Sequence, residues 1–134
     1  EHAVHEAWKN ENPDVIVLEG QGSLLNPAYP GGFELLAAGR PDYIVLQHAP
    51  GRKEYDGFPG FLLHPLTKQI EAIEIISGKK VIAVTLNHEN MNDYEIKKEG
   101  AKIEKEFGIP AIDILKHGPD DLLKAIEPLI RKRK

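Results

Sequence analysis

Four short apolar segments constrain the fold of this chain more than any other feature. They are rich in β-branched residues, do not alternate apolar with polar side chains, and lie at residues 15–18, 43–46, 81–84 and 109–115. Strands that are buried on both faces of a parallel sheet have this pattern. Amphipathic helical patterns at 66–76 and 92–107 lie between the later segments, and another helix is predicted to begin at 118–121. The alternation predicts an α/β domain with three layers: a mostly parallel sheet of at least four strands, with helices on both faces.

Composition limits the classes of protein to which the chain can belong. Its 134 residues are enough for one domain with a sizeable core, and 17 Lys and Arg against 21 Asp and Glu give a net charge of −4. This balance argues against a protein that coats nucleic acid, and we interpret the basic residues 131–134 as a solvated helix end. The absence of cysteine excludes disulfides, thiolate chemistry and cysteine-ligated zinc.

Targeting and membrane signals are missing from the sequence. No apolar run approaches the roughly 18–20 residues of a membrane span, and no signal-peptide pattern is present, so we expect a cytoplasmic protein without a membrane partner. The chain opens with Glu1 inside a predicted helix, where we expect Trp8 to be a core residue. We interpret this opening as the boundary of a fragment.

Two segments, at 20–32 and 47–65, are longer than most loops in compact α/β domains. Loops of this length usually serve function. Pro128 is predicted to interrupt the last helix near its end.

The residues that follow the predicted strands are the candidates for ligand binding, because the carboxyl ends of parallel strands meet at one edge of the sheet. Glu19 ends the first segment, where a carboxylate can hold Mg²⁺ beside a phosphate. Gly20 and Gly22 let the backbone approach a ligand closely. The alternative is an ordinary turn whose glutamate faces solvent.

Later strand ends carry further candidates. Arg52 and Lys53 lie in a Pro-Gly loop where they can meet an anion, although a mobile basic surface loop explains them equally well. Asn87 offers a donor and an acceptor that suit a purine edge, and the alternative is a turn residue. The fourth segment is followed by polar groups as well, namely Asp113, Lys116 and His117.

The histidines and the one Gly-Lys pair point to no known motif. His2 and His5 lack the spacing of a zincin site, and we expect the loop histidines to be hydrogen-bonded rather than to bind metal; these are His48, His64 and His88. Gly78-Lys79 is followed by lysine and not by Ser or Thr, so this chain contains no Walker A motif.

Two strings closely resemble the signature of one family. They are Glu19-Gly20-Gln21-Gly22-Ser23-Leu24, with Asn26-Pro27-Ala28-Tyr29 after it, and His48-Ala49-Pro50-Gly51-Arg52. Members of this family, long a domain of unknown function, have an N-terminal Rossmann-like domain and a C-terminal P-loop domain, and some are D-glutamate N-acetyltransferases. They usually carry His at the position of Asn26. The resemblance implies that residues 1–134 form the C-terminal part of a P-loop NTPase-like domain, with the fold of dethiobiotin synthetase and with Walker A upstream of Glu1.

The resemblance also implies ligands and roles. Glu19 corresponds to the strand-end acid near Mg²⁺, and Asn87 to the residue that reads the base. The residues expected to bind the cofactor are Gly20, Gln21, Gly22, Ser23, Arg52 and Asn87. The expected cofactors are ATP with Mg²⁺, or acetyl-CoA, and the expected partners are that nucleotide or CoA and the N-terminal domain of the same protein.

Three functions stay open at this point. The chain is an ATP-binding domain of a family transferase, part of an acetyl-CoA-dependent acyltransferase that hydrolyses no ATP, or a regulatory module that binds a nucleotide or a partner. The oligomeric state is open too.

Overall fold

A computed structural model of the chain describes residues 1–20, 24–28 and 31–131. Its sheet has three parallel strands, β1 Ile44–His48, β2 Val81–Leu86 and β3 Ala111–Ile112, in the order β1-β2-β3. β1 pairs with β2 along its whole length, from Ile44 opposite Val81 to His48 opposite Leu86. Three of the four predicted strands are therefore confirmed, with ends that shift by a few residues.

Six helices accompany the sheet in the described part of the chain. They are α1 His2–Glu11, α2 Gly31–Gly39, α3 Leu66–Ser77, α4 Asp93–Phe107, α5 Ile114–His117 and α6 Asp120–Arg131. α4 begins at a capping box, in which the Asn92 side chain accepts from the Glu95 backbone N–H and the Glu95 side chain accepts from that of Asn92. It ends at Gly108, whose left-handed φ of 68° a residue with a side chain rarely adopts.

The core lies between the central strand and the helices. Val84 and Leu86 of β2 pack with Ile96 and Ile103 of α4 in one apolar cluster. Val81 packs with Ile70 and Ile73 of α3 in a second cluster. Side chains alternate along a strand, so Ala83 and Thr85 point to the opposite face from Val84. Both are buried, and α6 contacts β2 as well. The α/β class with a parallel sheet between helices is confirmed.

The predicted strand at residues 15–18 is wrong. These residues form no strand in the structure, and Val17 is 83% exposed. A strand needs a neighbour to complete its hydrogen bonds, and within the described residues β1 pairs only with β2. The segment has the composition of a buried strand, but it has no partner here. The described sheet therefore has three strands and not the four or more predicted.

Three smaller predictions also need correction. Trp8 is 57% exposed and not a core residue, because α1 buries none of its side chains among the described residues. α2 begins at Gly31, inside the long loop predicted at 20–32. Pro128 lies inside α6 without ending it, since the helix continues to Arg131.

The segment at 47–65 is structured rather than open. A turn at residues 49–52 is followed by a short antiparallel bridge between Glu54 and Leu62, and the Leu63 backbone N–H donates to the Lys53 carbonyl at 2.8 Å. The Tyr55 hydroxyl bonds His64 Nδ1 at 2.9 Å, which confirms the prediction of a hydrogen-bonded loop histidine there. No helix in the described ranges is both long and apolar enough to cross a membrane.

Candidate functional site

A cleft of about 490 Å³ runs along β1 and reaches the carboxyl ends of β1 and β2. Its walls include four of the residues predicted from the sequence to bind a ligand: Glu19, Gly20, Arg52 and Asn87. Its apolar lining comes from α2, α3 and β1, through side chains such as Leu36, Ile44, Leu46 and Ile73. Apolar walls with a few convergent polar groups are typical of sites for small molecules and cofactors. Three other predicted residues, Gln21, Gly22 and Ser23, lie outside the described residues.

The loops after β1 and β2 are held against each other at the rim of this cleft. The Asn87 backbone N–H donates to the His48 carbonyl at 2.8 Å, which joins the two strand ends. The Arg52 backbone N–H donates to the Ala49 carbonyl at 3.1 Å and closes the turn after β1. A Cβ on Gly51 would lie 2.3 Å from the Glu89 carbonyl oxygen, so only glycine allows this approach. The rim is therefore a fixed part of the cleft.

Asn87 has a structural role within its own loop. Its Oδ1 accepts from the Glu89 backbone N–H at 3.0 Å, which is a turn formed by an asparagine side chain. Its Nδ2 makes no hydrogen bond to the residues that the structure describes. Of the two predicted interpretations, the turn residue is therefore observed, while the free Nδ2 can still donate to an acceptor on a ligand.

Arg52 carries the positive charge of the cleft. Its guanidinium donates to the carboxylate of Glu89, and the two side chains are 36% and 41% exposed. A pair this exposed contributes little to stability, but it fixes where the guanidinium lies. Lys53, predicted beside it as a second anion-binding residue, does not line the cleft.

His48 lies half-buried at the end of β1 and also lines the cleft. Burial lowers the pKa of its imidazole, and the nearby carboxylate of Glu99 opposes this effect only in part. Burial therefore disfavours the charged form of a histidine that lines the cleft.

Glu19, the predicted metal ligand, is exposed at the cleft wall. Within the described residues, no three His, Cys, Asp or Glu side chains gather where they could hold a metal ion. A single carboxylate still fits Mg²⁺ bound together with phosphates, because that ion keeps several waters and takes the rest of its oxygens from the substrate. Glu19 would then supply the one protein ligand, and Mg²⁺ would neutralise phosphate charge.

The structure reveals a second polar group that sequence reasoning did not assemble. His88 Nδ1 lies 2.7 Å from Asp113 Oδ2, and the Asp113 side chain is only 2% exposed. Asp113 also caps α5, since its Oδ1 accepts from the backbone N–H groups of Leu115 and Lys116, both at 3.2 Å. The sequence predicted a hydrogen bond for His88 but not its partner. The available signal was the place of both residues directly after neighbouring strands.

The remaining polar residues after β3 do not reach the cleft. The Lys116 ammonium pairs with the Asp93 carboxylate at the start of α4, and this hydrogen bond lowers the pKa of Asp93. Neither Lys116 nor His117 lines the cleft. The Lys116 side chain therefore contacts the start of α4 and not the cleft.

A three-layer α/β domain with a cleft at the carboxyl ends of its parallel strands is the class defined by these observations. Within that class, the chain belongs to the family described as "Domain of unknown function (DUF1611_C) P-loop domain", whose profile matches residues 1–123. This confirms the family resemblance of the two sequence strings.

Solved and curated relatives agree with this assignment. The chain is 29% identical to a DUF1611 family protein from Anabaena variabilis, with a TM-score of 0.84 over 96% of this chain and 39% of that one. It is also similar to two proteins named D-glutamate N-acetyltransferase. The protein from Tritonibacter scottomollicae is 26% identical over 87% of this chain and 37% of its own length. The protein from a Pseudoalteromonas species is 29% identical over 80% of this chain and 34% of its own length. The chain thus spans little more than a third of these relatives.

Proposed function

We propose that this chain binds the nucleotide part of acetyl-CoA in an enzyme that transfers an acetyl group to the amino group of D-glutamate or a similar D-amino acid. The observation that carries the proposal is the cleft, which brings Glu19, Gly20, Arg52 and Asn87 to one edge of the sheet. The names of the two curated relatives supply the reaction. Acetyl-CoA is the donor that we infer for it, because it combines an activated acetyl group with a nucleotide.

The groups in the cleft match the parts of such a nucleotide. The Arg52 guanidinium can bind a phosphate through paired hydrogen bonds. The free Nδ2 of Asn87 can donate to a ring nitrogen of adenine. The apolar side chains of α2 and β1 can cover the face of the base. No second cation is needed in this cleft if the rest of the protein contributes the other phosphate contacts.

The second candidate is binding of ATP with Mg²⁺, and Glu19 is the residue that favours it. A carboxylate beside the phosphates of CoA without metal would repel them, whereas beside Mg²⁺ it would be a ligand. Glu19→Gln therefore separates the two candidates. It should weaken binding of ATP·Mg²⁺ if that is the ligand, and leave or strengthen binding of CoA if CoA is the ligand.

The test is calorimetric titration of the full-length protein that carries this chain, with CoA and with ATP·Mg²⁺. Arg52→Gln should weaken binding of the true ligand by about tenfold, because one charge-assisted hydrogen bond at a partly exposed position contributes about 1–2 kcal/mol. Lys53→Gln removes a neighbouring cation that does not line the cleft, and should change affinity little. Equal effects of the two substitutions would contradict the placement of phosphate at Arg52.

Activity is tested separately, by release of the CoA thiol in the presence of D-glutamate, with L-glutamate as the control. We expect release with the D isomer.

The isolated 134-residue chain should bind the nucleotide far more weakly than the full-length protein, since a Walker A loop normally supplies most phosphate contacts and this chain contains none. Tight binding by the isolated chain would place the phosphate contacts within it.

A further inference from the structure

We propose that His88 is the general base of this acetyl transfer and that Asp113 positions it. The assignment rests on the proposed function and adds to it the residue that takes the proton from the substrate amine. It comes from the geometry of the pair, in which Nδ1 of His88 lies 2.7 Å from Oδ2 of the buried Asp113. Neither residue belongs to the group of side chains that line the cleft.

The surroundings of Asp113 determine how the imidazole is held. Oδ1 of this carboxylate accepts from two backbone N–H groups of α5, and Oδ2 faces His88. With both oxygens engaged and the side chain buried, the carboxylate cannot rotate away. A carboxylate accepts hydrogen bonds, so Nδ1 of His88 carries the proton and Nε2 of the neutral ring has a free lone pair.

The imidazole is accessible as well as oriented. The His88 side chain is 34% exposed, and no residue in the described part of the chain hydrogen-bonds its Nε2. An imidazole that a third group orients, with its second nitrogen open, has the arrangement that a general base requires.

The position of His88 in its loop connects it with the cleft. Its neighbour Asn87 lines the cleft, and its other neighbour Glu89 pairs with Arg52 of the cleft wall. The same loop is joined to the end of β1 through the Asn87 N–H and the His48 carbonyl. His88 is therefore fixed at the rim of the cleft in which we place the donor.

The reaction gives this base a definite task, because the amino group of a free amino acid is mostly protonated near neutral pH. Nε2 of His88 takes one proton from the substrate ammonium, and the freed amine attacks the acetyl carbonyl. The N–C bond forms, the C–S bond breaks, and its electron pair leaves with sulfur. The second amine proton goes to that sulfur and gives a neutral thiol. His88 returns its proton to solvent.

Charged groups on the neighbouring elements will shape the pH dependence of this step. Asp113 faces His88 from the end of β3, and Asp93 lies near it at the start of α4. The Arg52–Glu89 pair occupies the cleft side of the loop. Lys116 and His117 also lie near Asp93.

The test uses the full-length protein with acetyl-CoA and D-glutamate. His88→Gln should lower kcat by about 10²–10⁴-fold, the usual contribution of a general base, with the affinity for CoA unchanged. Asp113→Asn, which can still cap α5, should lower kcat by about tenfold or more because it no longer holds the reactive tautomer. His64→Gln is the matched control, since His64 is also a half-buried, hydrogen-bonded loop histidine, and it should keep wild-type kcat.

Chemical rescue separates a base from a structural residue. Added imidazole should restore part of the activity of His88→Ala, and the rise in rate between about pH 5 and 8 that a histidine base gives should disappear in His88→Gln. The assignment is wrong, and the proposed function stands, if wild type is active and His88→Gln keeps that activity. The same holds if His88→Gln loses both activity and CoA binding and imidazole does not rescue His88→Ala. If wild type transfers no acetyl group to D-glutamate, the proposed function fails and the assignment with it.

Discussion

Replacement of Gly51 by alanine tests whether the close contact between the two strand-end loops maintains the cleft. The backbone at Gly51 does not have a positive φ, so alanine would meet no conformational strain there. The obstacle is space: its Cβ would lie 2.3 Å from the Glu89 carbonyl oxygen and 3.0 Å from Met91 Cγ. The first of these neighbours is backbone and cannot move without its whole loop.

The size of the effect follows from those two distances. A carbon and a carbonyl oxygen approach to about 3.3–3.6 Å even in favourable contacts, so the loops must separate by roughly 1 Å. Overpacking of this kind costs about 1–3 kcal/mol. For a domain of this size, each kcal/mol lowers Tm by roughly 3–6 °C. Gly51→Ala should therefore lower Tm by about 3–18 °C and weaken binding of the nucleotide, since both loops line the cleft.

The assay is thermal unfolding followed by calorimetric titration, with two controls. Gly31→Ala adds the same methyl group at the start of α2, where a Cβ would meet nothing within 4 Å, and should leave Tm unchanged or raise it slightly. Met91→Ala combined with Gly51→Ala should recover only a minor part of the loss, because the worse contact is with backbone. Wild-type Tm and affinity in Gly51→Ala would refute the reasoning. Full recovery of Tm in the double variant would show that the clash is with the Met91 side chain and not with the Glu89 backbone.

Three other substitutions test the core, a helix end and a buried histidine. Ile103→Ala, at a site 2% exposed, should lower the free energy of unfolding in urea by about 2–5 kcal/mol, whereas Ile75→Ala, at a site 81% exposed, should change it by about 0.5 kcal/mol or less. Asn92→Ala should cost about 1 kcal/mol by removing the capping box of α4, and Asn92→Asp should restore most of it. Because burial lowers the pKa of His48 below its ordinary 6.5, the unfolded chain binds this proton first, and stability should fall as the pH drops below about 6.5. His48→Gln should remove that part of the pH dependence in urea unfolding, and an unchanged profile would contradict the burial.

Strands could be predicted from the sequence where an apolar segment has a neighbouring strand with which it pairs. Residues 81–84 have the composition of a doubly buried strand, and β2 lies between β1 and β3 with helices over it. Residues 15–18 have the same composition but form no strand, because composition records a tendency to be buried and not the presence of a neighbour. The strand prediction at 15–18 failed because the sequence does not show whether a neighbouring strand is present.

Helix prediction succeeded where local signals agree and failed where packing decides. α4 was predicted at 92–107 and forms at Asp93–Phe107, between a capping box and Gly108. α2 begins with two glycines and ends with another, which local propensity disfavours. It contacts α3, and its apolar side chains contribute to the core and the cleft. A helix held by such tertiary contacts cannot be identified from the residues of its own segment.

The rule that parallel strands end at one edge of a sheet accounts for part of the candidate site. Arg52 and Asn87 follow β1 and β2 and line one cleft, whereas Glu19 lines it although residues 15–18 before it form no strand. The rule therefore explains the position of the first two residues only. It did not identify Glu89, which nothing in the sequence distinguishes from other loop glutamates. Yet the Glu89 N–H donates to Asn87 Oδ1, its carboxylate accepts from Arg52, and its carbonyl lies against Gly51.

These three contacts determine how the cleft can meet an anion. Arg52 is already paired, so a phosphate must share its guanidinium with Glu89 or displace that carboxylate. The pair is exposed and costs little to separate, whereas the backbone contacts of Glu89 remain when its carboxylate moves. Arg52 attracts a ligand with two or more phosphate charges more strongly than it attracts the single charge of Glu89. A neutral ligand has no such attraction to Arg52. We therefore expect the cleft to bind a polyphosphate in preference to an uncharged molecule of the same shape, with Glu89 holding Arg52 in place until a phosphate displaces its carboxylate.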